Sequence, residues 1–309
     1  MIQQVHQVTK LILYASYQTG ETLPGYVQFA LTHLAETDFK VVLLTNRREL
    51  SKETVNFLKE KNIDLYLTEN HGFDFGMWRR YLKDKAPTGM QSLERLLLIN
   101  DSMVYYQNKF DEYFRRAEAS PADAISLTEN TEVRRHLQSY FLYLKQPALG
   151  AFFLHMMETP EQETFYDVVH KLEIGLANTF DEAEVRMEAL YHTEAPVMFA
   201  YPELIAQGAG FVKRKLLQSR FNFKEKVHFI RRGAYDSLNA NYAKLILDAG
   251  VASDFDPDWL PRSVDGNIKR AADKLWEKPF QKVGWPILRT AIKTKYKLLR
   301  KNLDGDEYK

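Results

Sequence analysis

The sequence has no cysteine. That absence removes disulfides, thiolate metal sites and cysteine nucleophiles from consideration, and it suits a reducing compartment. Charge of one sign is also lacking: 42 Lys and Arg stand against 41 Asp and Glu, a formal net charge of +1. Bulk nucleic-acid binding draws on a basic excess, so no nucleic-acid partner is expected. Long hydrophobic runs are missing as well. No stretch reaches the roughly 18–20 apolar residues of a membrane-spanning helix. The polar residues 1–10 lack the charged start and long apolar centre of a secretory signal, so a cytoplasmic location is expected. Neither a P-loop nor a GxGxxG turn is present, and there is no internal repeat or low-complexity tract.

What is present is ordinary globular composition, 45% hydrophobic and 27% charged over 309 residues. That length suits one large domain or a domain with an appendage. Short apolar runs at residues 11–15, 40–45, 63–67, 95–100 and 124–127 read as strands. Helical patterns fall between them at 24–35, 51–61, 75–82 and 110–119, with Ser51 placed to cap the second. Strands alternating with helices predict an α/β fold with a mostly parallel sheet covered on both faces. Beyond residue 130 the pattern changes: 137–144 reads as one strand, 148–157 and 161–180 as helices, and 185–190 as a strand. The chain divides into a core of residues 1–250 and a helical extension of residues 251–309, which contains a loop-like linker at 254–261.

Ligands of open α/β sheets bind at the carboxyl ends of the strands. Two segments stand there. The first, residues 70–78 (NHGFDFGMW), sets Asp74 between Gly72 and Gly76 beside Asn70 and His71. Its glycines suit close backbone approach to a ligand, or simply a tight turn. The second is Asn100-Asp101-Ser102, which ends the fully apolar run 96–99 abruptly. A carboxylate at such an edge can bind a divalent cation that bridges phosphates; it also suits a turn cap.

Three blocks in order resemble the rhamnan synthesis protein F family of polysaccharide and lipopolysaccharide glycosyltransferases. They are residues 71–78 (HGFDFGMW), 98–102 (LINDS) and 136–142 (HLQSYFL), with a weaker fourth at 210–214 (GFVKR). The resemblance implies a GT-A-like fold, a nucleotide-sugar donor and transfer of a hexosyl or deoxyhexosyl group to a growing glycan. By position it sets Asn70, His71, Asp74, Gly76 and Asn100 against the nucleotide and Asp101 against the diphosphate and a Mn or Mg ion. His136, Gln138 and Ser139 would line the sugar or acceptor cleft. Asn100-Asp101-Ser102 offers one carboxylate where the Asp-x-Asp pattern of GT-A enzymes offers two, which weakens cation binding. Metal-free transfer would draw on cations such as Arg79, Arg80, Lys213 or Arg214 to neutralise the leaving diphosphate.

An inverting transferase needs a carboxylate to deprotonate the acceptor hydroxyl. Residues 173–176 (EIGL) loosely resemble the acidic segment that supplies it in GT-A enzymes, which nominates Glu173. His155, His170 and His192 stand alone and read as structural or surface residues.

Residues 278–301 hold eight Lys or Arg and no Asp or Glu. At about 100° per residue the apolar and basic residues fall on opposite halves of a helix, the pattern of an interfacial anchor. An enzyme peripheral on the inner face of the plasma membrane, acting on a lipid-linked glycan, fits that pattern. The missing second carboxylate permits a second reading, a non-catalytic, membrane-docked module that binds a glycan or a partner enzyme.

Overall fold

The computed structural model of the protein describes residues 8–89, 92–194, 196–197 and 200–218. The loop-like segment 254–261 and the extension 251–309 lie outside the described residues.

The chain opens with β1 (Lys10–Ser16), α1 (Gly25–Leu34), β2 (Lys40–Thr45), α2 (Lys52–Glu60), β3 (Asp64–Leu67), α3 (Phe73–Gly89) and β4 (Arg95–Asn100). It continues with β5 (Met103–Tyr105), α4 (Phe110–Ala119), β6 (Ala124–Ser126), β7 (Glu129–Asn130), β8 (His136–Leu137), β9 (Phe141–Leu144) and α5 (Ala148–Glu158). Then come α6 (Phe165–Asp167), a π-helical segment Val168–Ile174, α7 (Gly175–Glu182), β10 (Met187–Ala189), α8 (Tyr201–Ala206), β11 (Phe211–Lys213) and α9 (Arg214–Gln218).

Seven strands form the central sheet in the order β10-β6-β9-β4-β1-β2-β3. β1 to β4 run parallel, and β9 enters antiparallel between β4 and β6. This is the expected α/β class, a mostly parallel sheet flanked by helices. β1, β2 and β4 are continuous apolar runs because helices cover both faces. On one face Ile12, Tyr14, Leu97 and Ile99 pack under α1 and α4. On the other Leu11, Leu13, Leu96 and Leu98 pack under α3, α5 and α7. Trp78 of α3 is fully buried and donates its indole N–H to Leu13 O at 3.2 Å, which fixes α3 to β1.

Three expectations change in detail. The helix expected over 75–82 starts earlier, at Phe73, and reaches Gly89. The single strand expected over 137–144 is two short ones, β8 and β9. Gln138 is drawn out of register between them: its N–H donates to Thr128 O at 3.1 Å, its carbonyl accepts from Ser126 Oγ at 2.7 Å, and its side-chain oxygen accepts from Thr128 Oγ1 at 2.6 Å. Polar side chains that bond the backbone locally compete with a strand ladder. The helix expected over 161–180 starts at Phe165 and passes through the π-helical segment.

Candidate active site

The carboxyl ends of β1, β2, β3 and β4 lie along one edge of the sheet, and the amino end of β9 joins them there. A cavity of about 260 Å³ opens at this edge on the α3 side. Its polar lining includes Asp74, Asn100, Ser102, Asn130, Glu132, His136, Gln138, Ser139, Glu173 and Lys213; Phe73, Phe75, Tyr140 and Phe165 add aromatic wall.

Asp74 comes from the first turn of α3. Two glycines shape this helix start, one before Asp74 and one after it. Gly72 has φ +71°, and a Cβ on Gly76 would lie 1.9 Å from the carbonyl oxygen of His71. Phe73 also takes a left-handed φ of 56°, a conformation that a bulky residue adopts only under constraint. Arg80 clasps the same turn from behind. It donates to Thr68 Oγ1 at 2.8 Å, to His71 O at 2.7 Å and to the carbonyl of Glu69, and it pairs with Glu161 at 2.5 Å.

Side chains alternate along a strand, and at the end of β4 that alternation divides the Asn100-Asp101-Ser102 segment. Asn100 continues the Leu96 and Leu98 side and donates its amide to Asp74 Oδ2 inside the cavity. Ser102 also lines the cavity. Asp101 continues the Leu97 and Ile99 side. Its Oδ2 accepts from Ser16 Oγ at 3.0 Å and from Arg214 Nη1 at 3.2 Å, and it does not line the cavity. Burial raises the Asp101 carboxyl, while Arg214 and Ser16 act to lower it.

Glu173 reaches the cavity from the π-helical segment. Such segments distort a helix locally and recur at functional sites. Its Oε1 accepts the backbone N–H of Ser139 at 2.8 Å. Lys213 arrives on β11, which pairs antiparallel with β5 just beyond the end of β4. Its Nζ donates to Ser102 Oγ at 3.2 Å and stands 4.8 Å from the centre of the Tyr140 ring. Burial pushes the Asp74 carboxyl up to about 6; Glu173 adds to the rise, and Asn100, Phe75 N–H and Lys213 oppose it. Burial pushes the Lys213 ammonium below its usual range against the opposing pull of Glu173 and Asp74.

The structure therefore gathers Asp74, Asn100, His136, Gln138, Ser139, Glu173 and Lys213 around one cavity. It sets others apart. His71 is exposed, Asn70 is half-buried outside the lining, and Gly76 is buried against the His71 carbonyl. Arg79 donates to the carbonyls of Met157 and Thr159 and so caps α5. Arg214 serves Asp101. His155 is packed between Thr179 Oγ1 at 2.9 Å and Leu172 O at 3.1 Å, a structural role. Asn130, Glu132 and Phe165 also line the cavity, and no motif in the sequence marks them. They come from the β7–β8 hairpin and the start of α6, where no periodic pattern marks them. Among the described residues no group of three or more His, Asp or Glu could hold a metal ion.

A family model described as rhamnan synthesis protein F matches residues 41–261. No curated protein matches the chain significantly. Solved structures with a distant overall likeness include a mannosyltransferase from Pyrobaculum calidifontis in complex with GDP-Man and Mn2+, at 12% identity and a TM-score of 0.43. That alignment covers 98% of this chain and 89% of the other. A cytidylyltransferase from Leptospira borgpetersenii is similar at 11% identity and a TM-score of 0.39, over 77% of this chain and 97% of the other. A glycosyltransferase involved in glycosylation of the major capsid of PBCV-1 is similar at 12% identity and a TM-score of 0.37, over 72% of this chain and 99% of the other.

Proposed function

The chain belongs to the rhamnan synthesis protein F family, and on that premise we propose that it is a glycosyltransferase using a nucleotide-sugar donor. One observation carries the reading beyond the family. A carboxylate fixed by a backbone N–H, Glu173, shares a polar cavity at the carboxyl edge of the sheet with Asp74 and Lys213.

Glu173 is the general base. It takes the proton of an acceptor hydroxyl as that oxygen bonds to the anomeric carbon of the donor sugar, and the bond from that carbon to the diphosphate breaks. Asp74 and Asn100 stand against the donor, and His136, Gln138 and Ser139 line the sugar or acceptor side. Asp101 acts through position: with Arg214 it holds the segment after β11 against the end of β4. The transferred group is hexosyl or deoxyhexosyl, and the acceptor is a cell-surface glycan of the polysaccharide or lipopolysaccharide class carried on a lipid. The core of residues 1–250 performs the transfer. The extension of residues 251–309 docks it on the inner face of the plasma membrane.

A non-catalytic glycan-binding module would bind a nucleotide-sugar or glycan without turnover. The placement of Glu173 in the cavity favours the enzyme. The test is a panel of nucleotide-sugars offered to the purified protein, with binding and donor turnover both measured. Binding with turnover that Glu173→Gln removes supports the reading. No binding by any member refutes it.

A further inference from the structure

The Asp-x-Asp pattern of GT-A enzymes implies a divalent cation at the end of β4. The residues there do not fit one. Divalent cations such as Mg2+ take hard oxygen ligands, carboxylates foremost. The two positions of the strand end that face the cavity hold the neutral side chains of Asn100 and Ser102. The carboxylate between them, Asp101, faces the opposite side of the sheet and already accepts from Ser16 and Arg214. Asp74 accepts from the Asn100 amide and from Phe75 N–H at 3.0 Å, and Glu173 from Ser139 N–H. An ammonium already stands at this strand end: Lys213 Nζ lies 3.2 Å from Ser102 Oγ. A second cation beside it would be repelled.

We propose that Lys213 supplies from its own side chain the positive charge that a divalent cation would supply, binding the diphosphate of the donor without metal. The inference rests on the nucleotide-sugar reading above. Three features suit the role. Lys213 is pre-positioned, because β11 pairs with β5 through Phe211↔Tyr105, Val212↔Val104 and Lys213↔Met103, and Arg214 N–H donates to Ser102 O at 2.9 Å. Phe211 and Val212 are fully buried, so the strand that carries the ammonium cannot swing freely. The Tyr140 ring beside Nζ favours a cation electrostatically. A fixed donor in a partly desolvated site is worth more at developing charge than the same donor in water. In the transfer, the bond between the anomeric carbon and the diphosphate oxygen breaks and its electron pair stays on that oxygen. Lys213 donates hydrogen bonds to the diphosphate that departs. The acceptor oxygen forms the new bond, and its proton goes to Glu173.

The test is calorimetric titration of the full chain with UDP, GDP, dTDP and CDP, in EDTA and in Mn2+. The expected result is one or more diphosphates binding with the same Kd in both, within about twofold. Lys213→Met should weaken that binding about tenfold to a hundredfold, the scale of a lost charge-assisted hydrogen bond, and Lys213→Arg should recover much of it. Affinity that collapses in EDTA and returns with Mn2+ overturns the inference and leaves the glycosyltransferase reading standing. So does wild-type affinity in a folded Lys213→Met. Should that variant not fold, the EDTA comparison on the wild-type chain decides alone. If no diphosphate binds in either condition, the nucleotide-sugar reading itself falls, and this inference with it.

Discussion

Ser139 donates its backbone N–H to Glu173 Oε1 at 2.8 Å, tying the loop before β9 to the π-helical segment in the wall of the cavity. A glutamine at 173 keeps an oxygen to accept that bond but cannot take a proton. Glu173→Gln is therefore expected to fold as the wild type does and to bind the donor within about twofold. Its kcat should fall by a factor of about 10²–10⁴, the range of general-base catalysis. Initial rates of transfer set beside donor affinity check this. Loss of affinity with kcat retained would assign Glu173 to binding instead.

Asp74 makes stability depend on pH. Its carboxyl is raised from 3.8 to about 6, first by burial and then by Glu173. A carboxyl whose folded pKa exceeds its unfolded one binds more protons in the native state between those values. Stability is then lost as pH rises through about 4–6 and stays low above. Asp74→Asn removes that cost. It should stabilise the protein at pH 8 by about 1–2 kcal/mol, less than the full linkage because one of two accepted hydrogen bonds is lost. The gain should vanish by pH 4. Thermal melts of both proteins across that range provide the check, and an equal offset at every pH would contradict it.

Much of this site is legible in the sequence. The runs at 40–45 and 95–100 are strands with the expected bounds, because a strand covered on both faces must be apolar throughout. The conjunction of Asp74 with Asn100 follows from strand ends on a shared edge. Two features were less visible. The period-two alternation that turns Asp101 away from Asn100 is present in Leu96 to Ser102, but a motif reading treats the three polar residues as one unit. The approach of Lys213 to Ser102 spans 111 residues, and no local pattern predicts which long-range strand pairs with β5. Glu173 carries only a loose resemblance in sequence; its place in the cavity depends on the π-helical segment, which has no signature in periodicity.

Asp101 and Arg214 form a pair with Oδ2 and Nη1 at 3.2 Å and side chains 14% and 28% exposed. Such a pair behaves as a unit: removing one partner leaves the other charge without its counterpart. Asp101→Asn and Arg214→Gln should each lower stability, and the double variant should cost less than the sum. A coupling of about 1–3 kcal/mol is expected from denaturant melts of the four proteins. Strict additivity would mean the pair contributes nothing.

Gly76 and Gly150 offer a contrast within helices. A Cβ at Gly76 would stand 1.9 Å from His71 O, a backbone atom held in turn by Arg80. Neither side can yield, so Gly76→Ala should distort the start of α3 and displace Asp74. The expected cost is about 1–3 kcal/mol, the scale of overpacking, with loss of donor binding. At Gly150 on α5 an added Cβ meets nothing within 4 Å. Gly150→Ala should raise stability by about 0.5–1 kcal/mol through helix propensity alone. Equal effects at the two sites would remove the steric explanation of the glycine at 76.

The membrane proposal rests on residues 278–301, outside the described residues. On a helical wheel Trp285, Ile287, Leu288, Ala291, Ile292, Tyr296, Leu298 and Leu299 share one half. Arg289, Lys293, Lys297, Arg300 and Lys301 share the other, and Lys295 falls within the apolar arc. Each basic residue near an anionic leaflet contributes about 1 kcal/mol, screened by salt. Replacing the five cations of the polar half by glutamine should therefore abolish co-sedimentation with phosphatidylserine vesicles. Nucleoside diphosphate binding should be unchanged, because the cavity is built from residues 73–213. Binding of the wild-type chain should also weaken as ionic strength rises. Retention on the vesicles after the five replacements would mean the apolar half suffices, and no binding by the wild-type chain would leave that half to pack against the protein's own core.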